Sequence, residues 1–491
     1  MLSGAGDYNT KGVFKKAPGR NGATGVCRGK DEAMPASGSK MKKLTEGPLV
    51  KLIFQFILPI MAMNLLQNLY NAADMVVVGY SGVPGALGAI GTTSAMNNFF
   101  MTIFVGFSVG ANIMVSRHIG AGNERATREA VHTAFCINAL VGAGIGGIAL
   151  ILTPAILRMI GDEGEVLRLA TIYSRIIFCG AVFTSLANCC INIFRSKGDS
   201  KTPMFVMTGS GLLNVGLNFF FVLVCGLSVE GVALATVISQ FCSAAVMIWL
   251  LHRDEGWTHL DFKALKITKD ALRNQLAMGI PSAIQGCLFS VSNMLIQSSI
   301  VSLNNQYYPG GSAIIDGNAA GASLESFLYT CSFSCNQAAV TFTSQHLGAG
   351  KYSRMRKVRI SCLIIGSALS MTVALVMLLF KAPFVSIYLT EPHAMETAFI
   401  RMRIMFTTYF LLAAMETVSG FLKGLGRSVL STANSLICVC LFRVIWISIV
   451  FSAHPSLETI YISYPISWGL TALLSFIAGE KTLRRMEKAQ A

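Results

Sequence analysis

His118-Ile-Gly-Ala-Gly122 and His346-Leu-Gly-Ala-Gly350 stand 228 positions apart, and that spacing decides the architecture. The same shift superposes Arg175 on Arg403, Phe178 on Phe406, Gly198 on Gly426, Ser200 on Ser428 and Ser239 on Ser467. Nearer the start of each copy, Pro59 answers Pro281 and Asn71 answers Asn293 at a shift of 222, which puts a short insertion in the second copy around Asn304–Gly311. The chain is a tandem duplication.

Each copy contains six apolar stretches of bilayer-spanning length, about 20 residues or more. They lie near 50–78, 87–113, 129–152, 166–194, 203–225 and 229–252 in the first copy. In the second they lie near 276–303, 312–341, 357–380, 396–422, 429–452 and 457–479. Six is even, so both copies enter a membrane in the same sense, related by a pseudo-two-fold axis along the membrane normal. The expected fold is an all-α polytopic membrane protein with twelve transmembrane helices in two pseudo-symmetric six-helix bundles. Its expected boundaries are a basic, disordered tail (1–44), an amino-terminal lobe (45–253), a linker (254–275), a carboxy-terminal lobe (276–483) and a short tail (484–491).

Composition agrees. Of 491 residues, 53% are hydrophobic and only 13% charged, with a mean hydropathy of +0.58, whereas soluble proteins carry about 25% charged residues. That excludes a string of soluble domains, a disordered chain and a fibrous one. The net charge of +15 is not a nucleic-acid footprint, because most basic residues fall in short gaps between apolar stretches. Counted over those gaps, one side holds clusters such as Arg117/Arg125/Arg128, Lys263/Lys266/Lys269 and Lys351/Arg354/Arg356, and the other only Arg158, Arg168 and Lys381. The basic side is the expected cytoplasm, with both termini inside and the protein in the cell (inner) membrane. The 13 cysteines show no framework spacing and read as reduced packing residues. Residues 1–40 are rich in Gly, Lys, Ser and Ala and too polar to fold, and Met41 is the expected natural start.

No Walker-type Gly-Lys-Ser/Thr loop, His-Glu-x-x-His motif or Cys-x-x-Cys motif is present, so neither direct ATP use nor intramembrane enzymology is expected. The Gly-Ala-Gly motifs follow helices and read as terminators rather than phosphate cradles. Pro59 and Pro281 lie inside spans and are expected to kink them.

The chemistry resides in polar groups inside the spans. Asn64, Gln67, Asn68, Asn71 and Asp74 share one face of span 1. Ser210, Asn214 and Asn218 repeat at steps of four in span 5, and Ser290, Asn293 and Gln297 share a side of span 7. Such stripes either line a wet cavity or hydrogen-bond neighbouring helices. Asp74 can change charge, and with Tyr173, Asn214, Asn218 and Thr236 it lies in the outer half of the first lobe. A carboxylate among neutral donors there exchanges a proton or holds Na⁺, or else it merely caps its helix. Glu325 and Glu416 are embedded in the second copy; either attracts a cation or pairs with Arg403 or Arg443.

These stretches resemble the multidrug and toxic compound extrusion (MATE) family over about residues 45–483. The resemblance rests on Leu69-Tyr-Asn-Ala-Ala-Asp-Met-Val-Val-Val-Gly79, Gly106-Phe-Ser-Val-Gly-Ala-Asn112 and Asn214-Val-Gly-Leu-Asn218. It rests also on Ala233-Leu-Ala-Thr-Val-Ile-Ser-Gln240, Gly420-Phe-Leu-Lys-Gly-Leu-Gly426 and the two His-x-Gly-Ala-Gly motifs. It implies a V of two lobes, alternating access, and export of small cationic or amphipathic organic compounds against H⁺ or Na⁺. It also implies coupling at Asp74 with Asn214, Asn218 and Thr236. Position 218 is Asn where many relatives carry Asp, which argues against a firm Na⁺ site and towards protons. Asn68, Asn71, Asn293, Gln297, Glu325 and Glu416 are the expected substrate-cavity residues. No cofactor and no nucleic-acid partner are expected; the protein is expected to work as a monomer in the lipid bilayer. The rival reading is a lipid-linked oligosaccharide flippase of the same broader superfamily.

Overall fold

The computed structural model describes residues 44–79, 83, 86–160 and 164–490. The expectations for residues 1–43 lie outside them. Among the described residues no strand occurs, and the chain runs helix after helix.

The first copy comprises α1 (Leu49–Gly79), α2 (Ala86–Gly120), α3 (Glu124–Ile160), α4 (Gly164–Cys179), α5 (Ala181–Ser196), α6 (Lys201–Phe219) and α7 (Val229–His252). The second comprises α8 (Lys269–Tyr307), α9 (Ala313–Gly348), α10 (Tyr352–Leu379), the one-turn α11 (Lys381–Ser386), α12 (Pro392–Thr407), α13 (Tyr409–Gly424), α14 (Ser428–Ser435), α15 (Phe442–Trp446) and α16 (Leu457–Gln490). Two expected spans are bent pairs. The α4–α5 pair bends by 49° and the α12–α13 pair by 51°. The helices α1 and α8 run without a break through Pro59 and Pro281. The breaks fall at Gly180 and Thr408 instead.

Among the described residues, nine helices, with Ser428–Phe451 counted as one, and these two bent pairs are long and apolar enough to cross a bilayer. The protein is a multi-pass membrane protein. The remaining expected span is α9, which is too polar to pass as a span by hydropathy but is buried along most of its length. Ser332, Ser334, Asn336, Gln337, Thr341, Thr343, Ser344 and Gln345 are all buried. A helix surrounded by protein needs partners for its polar groups rather than lipid-soluble side chains. Ser332 meets Ser370 at 3.1 Å, and Asn336 donates to the Glu416 backbone at 2.9 Å.

The two copies meet along one half of their length only. Val77, Ile90, Phe100, Leu169 and Val232 form an apolar core drawn wholly from the first copy. Ile300, Leu324, Met402, Tyr409 and Trp468 belong to one drawn wholly from the second. Towards the end rich in Lys and Arg, the cores mix. Ile53, Phe56 and Ile60 pack with Ala339, Phe342 and Cys362, and Val109 and Ile113 pack with Val340. Here α2 and α8 lie so close that a Cβ on Gly106 would fall 2.4 Å from the Ala283 backbone, and one on Gly110 2.8 Å from the Gln275 carbonyl. At the other end of α2, Gly88 and Gly91 have nothing within 4 Å. The bundles are thus joined at the basic end and part at the opposite end.

The duplicated motifs form another tight part of that junction. Gly122 (φ +69°) and Gly350 (φ +66°) end their helices in the left-handed region. Asn123 N donates to His118 O and Lys351 N to His346 O, both at close to 3 Å, as helix termination requires. Gly120 and Gly348 do more than terminate. A Cβ on Gly120 would meet Gln345 O at 2.0 Å, and one on Gly348 would meet Arg117 O at 1.9 Å. Gln345 and Arg117 are themselves repeat equivalents, so the contact is a pseudo-two-fold handshake that only glycine allows.

Candidate functional site

Polar groups gather in each bundle, on the stretches that the other bundle does not cover. In the first, α1, α6 and α7 bring together Asp74, Asn214, Asn218 and Thr236. Asn218 Nδ2 lies 2.5 Å from Asp74 Oδ1 and 3.3 Å from Asn214 Oδ1. Asn214 Nδ2 donates to Thr236 Oγ1 at 3.3 Å, and Thr236 donates to Val232 O at 2.9 Å. Asp74 is half-buried, whereas Asn214 and Asn218 are buried. One acceptor is left over: among the described residues, Asn218 Oδ1 is buried without a hydrogen-bond partner. Such an orphan is costly in a low-dielectric interior unless some state of the protein satisfies it.

Asp74, Asn214 and Thr236 line a small cavity of about 60 Å³ together with Gln67, Tyr70 and Asn71. Gly211 matters here because the Tyr70 ring fills the place of a Cβ, 1.8 Å from where one would stand. Tyr70 also donates to Thr208 O at 3.3 Å and so seals α1 against α6. Asn68 lines neither this cavity nor the one described next. Tyr173 stands in the apolar core with Val77 and Phe100, and among the described residues no hydrogen bond links it to Asp74.

The second bundle holds a larger cavity, of about 400 Å³, lined by Asn293, Gln297, Glu325, Glu416 and two arginines, Arg401 and Arg443. Its charges are sorted. Arg401 Nη2 lies 2.5 Å from Glu325 Oε2, and Arg401 Nη1 donates to Asn318. Asn318 in turn donates to Gln297 Oε1 at 3.0 Å. Asn336 Nδ2 donates to Glu416 Oε2 at 2.8 Å. Arg443 donates to Ser467 Oγ and Asn293 Oδ1, each at 3.3 Å. The expected partners of the two acids therefore need correction: Glu325 pairs with Arg401, and among the described residues neither Arg403 nor Arg443 bonds to either acid. Arg401 and Arg403 are two residues apart, on opposite faces of α12. The first is buried and the second exposed. The signal was legible, since Arg401 continues the buried stripe of Ala394, Ala398 and Met405 at helical spacing. Ser290 turns back onto Gly286 O of its own helix.

The duplication register gives the two sites a common frame. Arg401 corresponds to Tyr173, Glu325 to Asn97, Arg443 to Val215 and Tyr464 to Thr236. At three of these four positions the second copy places charge where the first places neutral or apolar side chains. The first keeps its lone acid at Asp74, whose equivalent is Ile296.

The sequence pattern of the MatE family matches residues 59–220 and 281–449, one match for each copy. The chain belongs to the MatE family. It is 25% identical over 433 residues to the probable multidrug resistance protein YoeA of Bacillus subtilis, covering 86% of this chain and 91% of that protein. It is 24% identical to the probable multidrug resistance protein NorM of Thermotoga maritima, covering 77% and 80%. Its fold matches a structure described as the outward-facing conformation of a multidrug resistance MATE family transporter, with a TM-score of 0.84 at 20% identity, covering 92% of this chain and all of the other. This member of the MatE family is a membrane transport protein.

Proposed function

We propose that the protein is a secondary active antiporter that exports cationic or amphipathic organic compounds in exchange for H⁺ or Na⁺, by alternating access between its two bundles. Drug extrusion is favoured over lipid flipping by the multidrug relatives that span most of the chain. The observation that carries the coupling reading is the Asp74 pocket: one carboxylate, neutral neighbours, and an orphaned Asn218 oxygen beside it.

The chemistry follows from the donor inventory. With Asp74 ionised, Asn218 presents its amide N–H to the carboxylate. With Asp74 protonated, rotation of the Asn218 amide by 180° presents Oδ1 to the new O–H and satisfies it. Proton loading is thereby tied to a rearrangement between α1 and α6. A Na⁺ ion would instead draw on Asp74, Asn214 and Thr236 oxygens, of which only one is charged. The single carboxylate makes H⁺ the favoured ion. The basic end faces the cytoplasm, and both termini lie there.

Transport in proteoliposomes, with a pH gradient and a Na⁺ gradient imposed separately, tests this reading. Export of a lipophilic cation should follow the pH gradient in the wild type and disappear in Asp74→Asn. Equal transport by the variant would overturn the role of Asp74, and transport driven only by Na⁺ would overturn the choice of ion.

A further inference from the structure

The cavity of the second bundle contains a cation that, among the described residues, makes no direct ion pair. Arg443 is 4% exposed, yet among the described residues it has no carboxylate partner. Glu325 is committed to Arg401 at 2.5 Å and Glu416 to the Asn336 amide at 2.8 Å. Arg443 is held by neutral acceptors, Asn293 and Ser467, and by the face of Tyr464, with 4.0 Å from the guanidinium carbon to the ring centre. These contacts use two of its five N–H donors and fix its plane. An intramembrane charge left without a partner marks a ligand or ion pathway by default.

Three further observations point the same way. The cavity is of small-ligand size, about 400 Å³, and its other walls include Phe289, Ile296, Leu412, Met415 and Trp468. Arg443 sits on α15, just after a π-helical stretch, Leu436–Leu441, whose first-copy equivalent, 208–213, is regular α-helix, whereas the π-helical stretch that follows, Ile447–Phe451, is shared with Phe220–Val224. Wide turns of this kind distort a helix at a cost and recur at functional sites. The duplication supplies the control: the equivalent position is Val215, so this arginine is no requirement of the shared scaffold.

We propose that the second bundle's cavity binds amphipathic organic anions, with a carboxylate or phosphate group on Arg443 and the apolar body against the aromatic wall. A planar guanidinium with free donors suits both oxyanions, and bidentate contact gives it orientation as well as attraction. The inference rests on the reading of the chain as an exporter and extends its substrates beyond cations. Within one molecule, the first bundle offers a lone acid, and the second, beside its ion pair, offers Arg443 and a Glu416 met by an amide alone.

Equilibrium binding to the purified full-length protein tests it, using 1-pyrenebutyrate against 1-pyrenebutanol and 1-naphthyl phosphate against 1-naphthol. The wild type should bind at least one anion more tightly than its neutral analogue, by about tenfold or more, the size of one charge-assisted hydrogen bond. The carboxylate and phosphate arms report which oxyanion is preferred. Arg443→Gln should erase the preference while leaving neutral-analogue binding in place. Asn293→Asp keeps the arginine but supplies it with a built-in carboxylate, and should erase the preference as well, so the result does not depend on one variant folding. Equal binding of charged and neutral probes by the wild type, or an unchanged preference in both variants, would overturn the proposal. No ion gradient is used, so failure here is separable from failure of coupled export at Asp74.

Discussion

The two bundles are built on one repeat, yet their buried polar sites differ in kind. The amino-terminal site is a chain of neutral amides and hydroxyls ending on one acid, with about 60 Å³ of free space. The carboxy-terminal site holds a closed ion pair, a second acid on an amide and an arginine facing about 400 Å³. The backbone scaffold is shared and the charge is not. A duplicated transporter can therefore assign ion loading to one half and ligand contact to the other, because a titrating acid needs an environment whose charge it alone controls, whereas a ligand needs room.

Substitutions can break this contrast. The largest effect is expected for Asp74→Asn, which removes the only charge of the first site: coupled transport should fall to background with expression intact. Unchanged transport would mean that the asymmetry has no mechanistic content. Next come the twin glycines, where the halves should behave alike. An alanine at Gly120 or at Gly348 overpacks the handshake, at a cost of about 1–3 kcal/mol. Both should open the basic end to a similar degree, read as labelling of a cysteine placed at Thr341 in a cysteine-free background by a thiol reagent from that side. A large difference between the two would show that the handshake is not symmetric.

Glu325→Gln leaves Arg401 buried without its carboxylate and should destabilise the protein by about 3 kcal/mol in thermal unfolding. The equivalent of that arginine in the first copy is a tyrosine, and Tyr173→Phe should cost under about 1 kcal/mol. Similar losses at the two positions would erase the distinction between a charged and an apolar twin.

The smallest effect is expected where the first bundle meets the linker. Asp254 lies 2.9 Å from Lys197 Nζ and accepts from Thr258. Burial pushes its carboxyl up, but the Thr258 hydroxyl and the Lys197 ammonium outweigh burial and hold it below the ordinary carboxylate value. A depressed carboxylate contributes stability above its unfolded pKa and loses it as pH falls through the folded one. Asp254→Asn should therefore cost about 1 kcal/mol at neutral pH. The deficit should shrink below about pH 4, the ordinary Asp range, as the wild type too becomes protonated.

Much of this molecule could be read from the chain alone. Hydropathy located the helices because a bilayer rewards uninterrupted apolar length. The apolar stretch near 312–341 likewise corresponds to α9, although that helix is too polar to pass as a span by hydropathy because it is solvated by protein. The stripe from Asn64 to Asp74 and the steps of four from Ser210 to Asn218 were legible because helical spacing fixes which residues share a face. What they meet across a bundle was not: the bond from Asn218 to Asp74 spans 144 residues and that from Arg401 to Glu325 spans 76. Sequence period says which way a side chain points along its own helix, but the rotation and crossing of two helices are set by packing of the whole bundle. For the same reason the Gly-Ala-Gly motifs read as helix ends, and only the tertiary structure revealed Gly120 and Gly348 as the point where two copies of one fold touch.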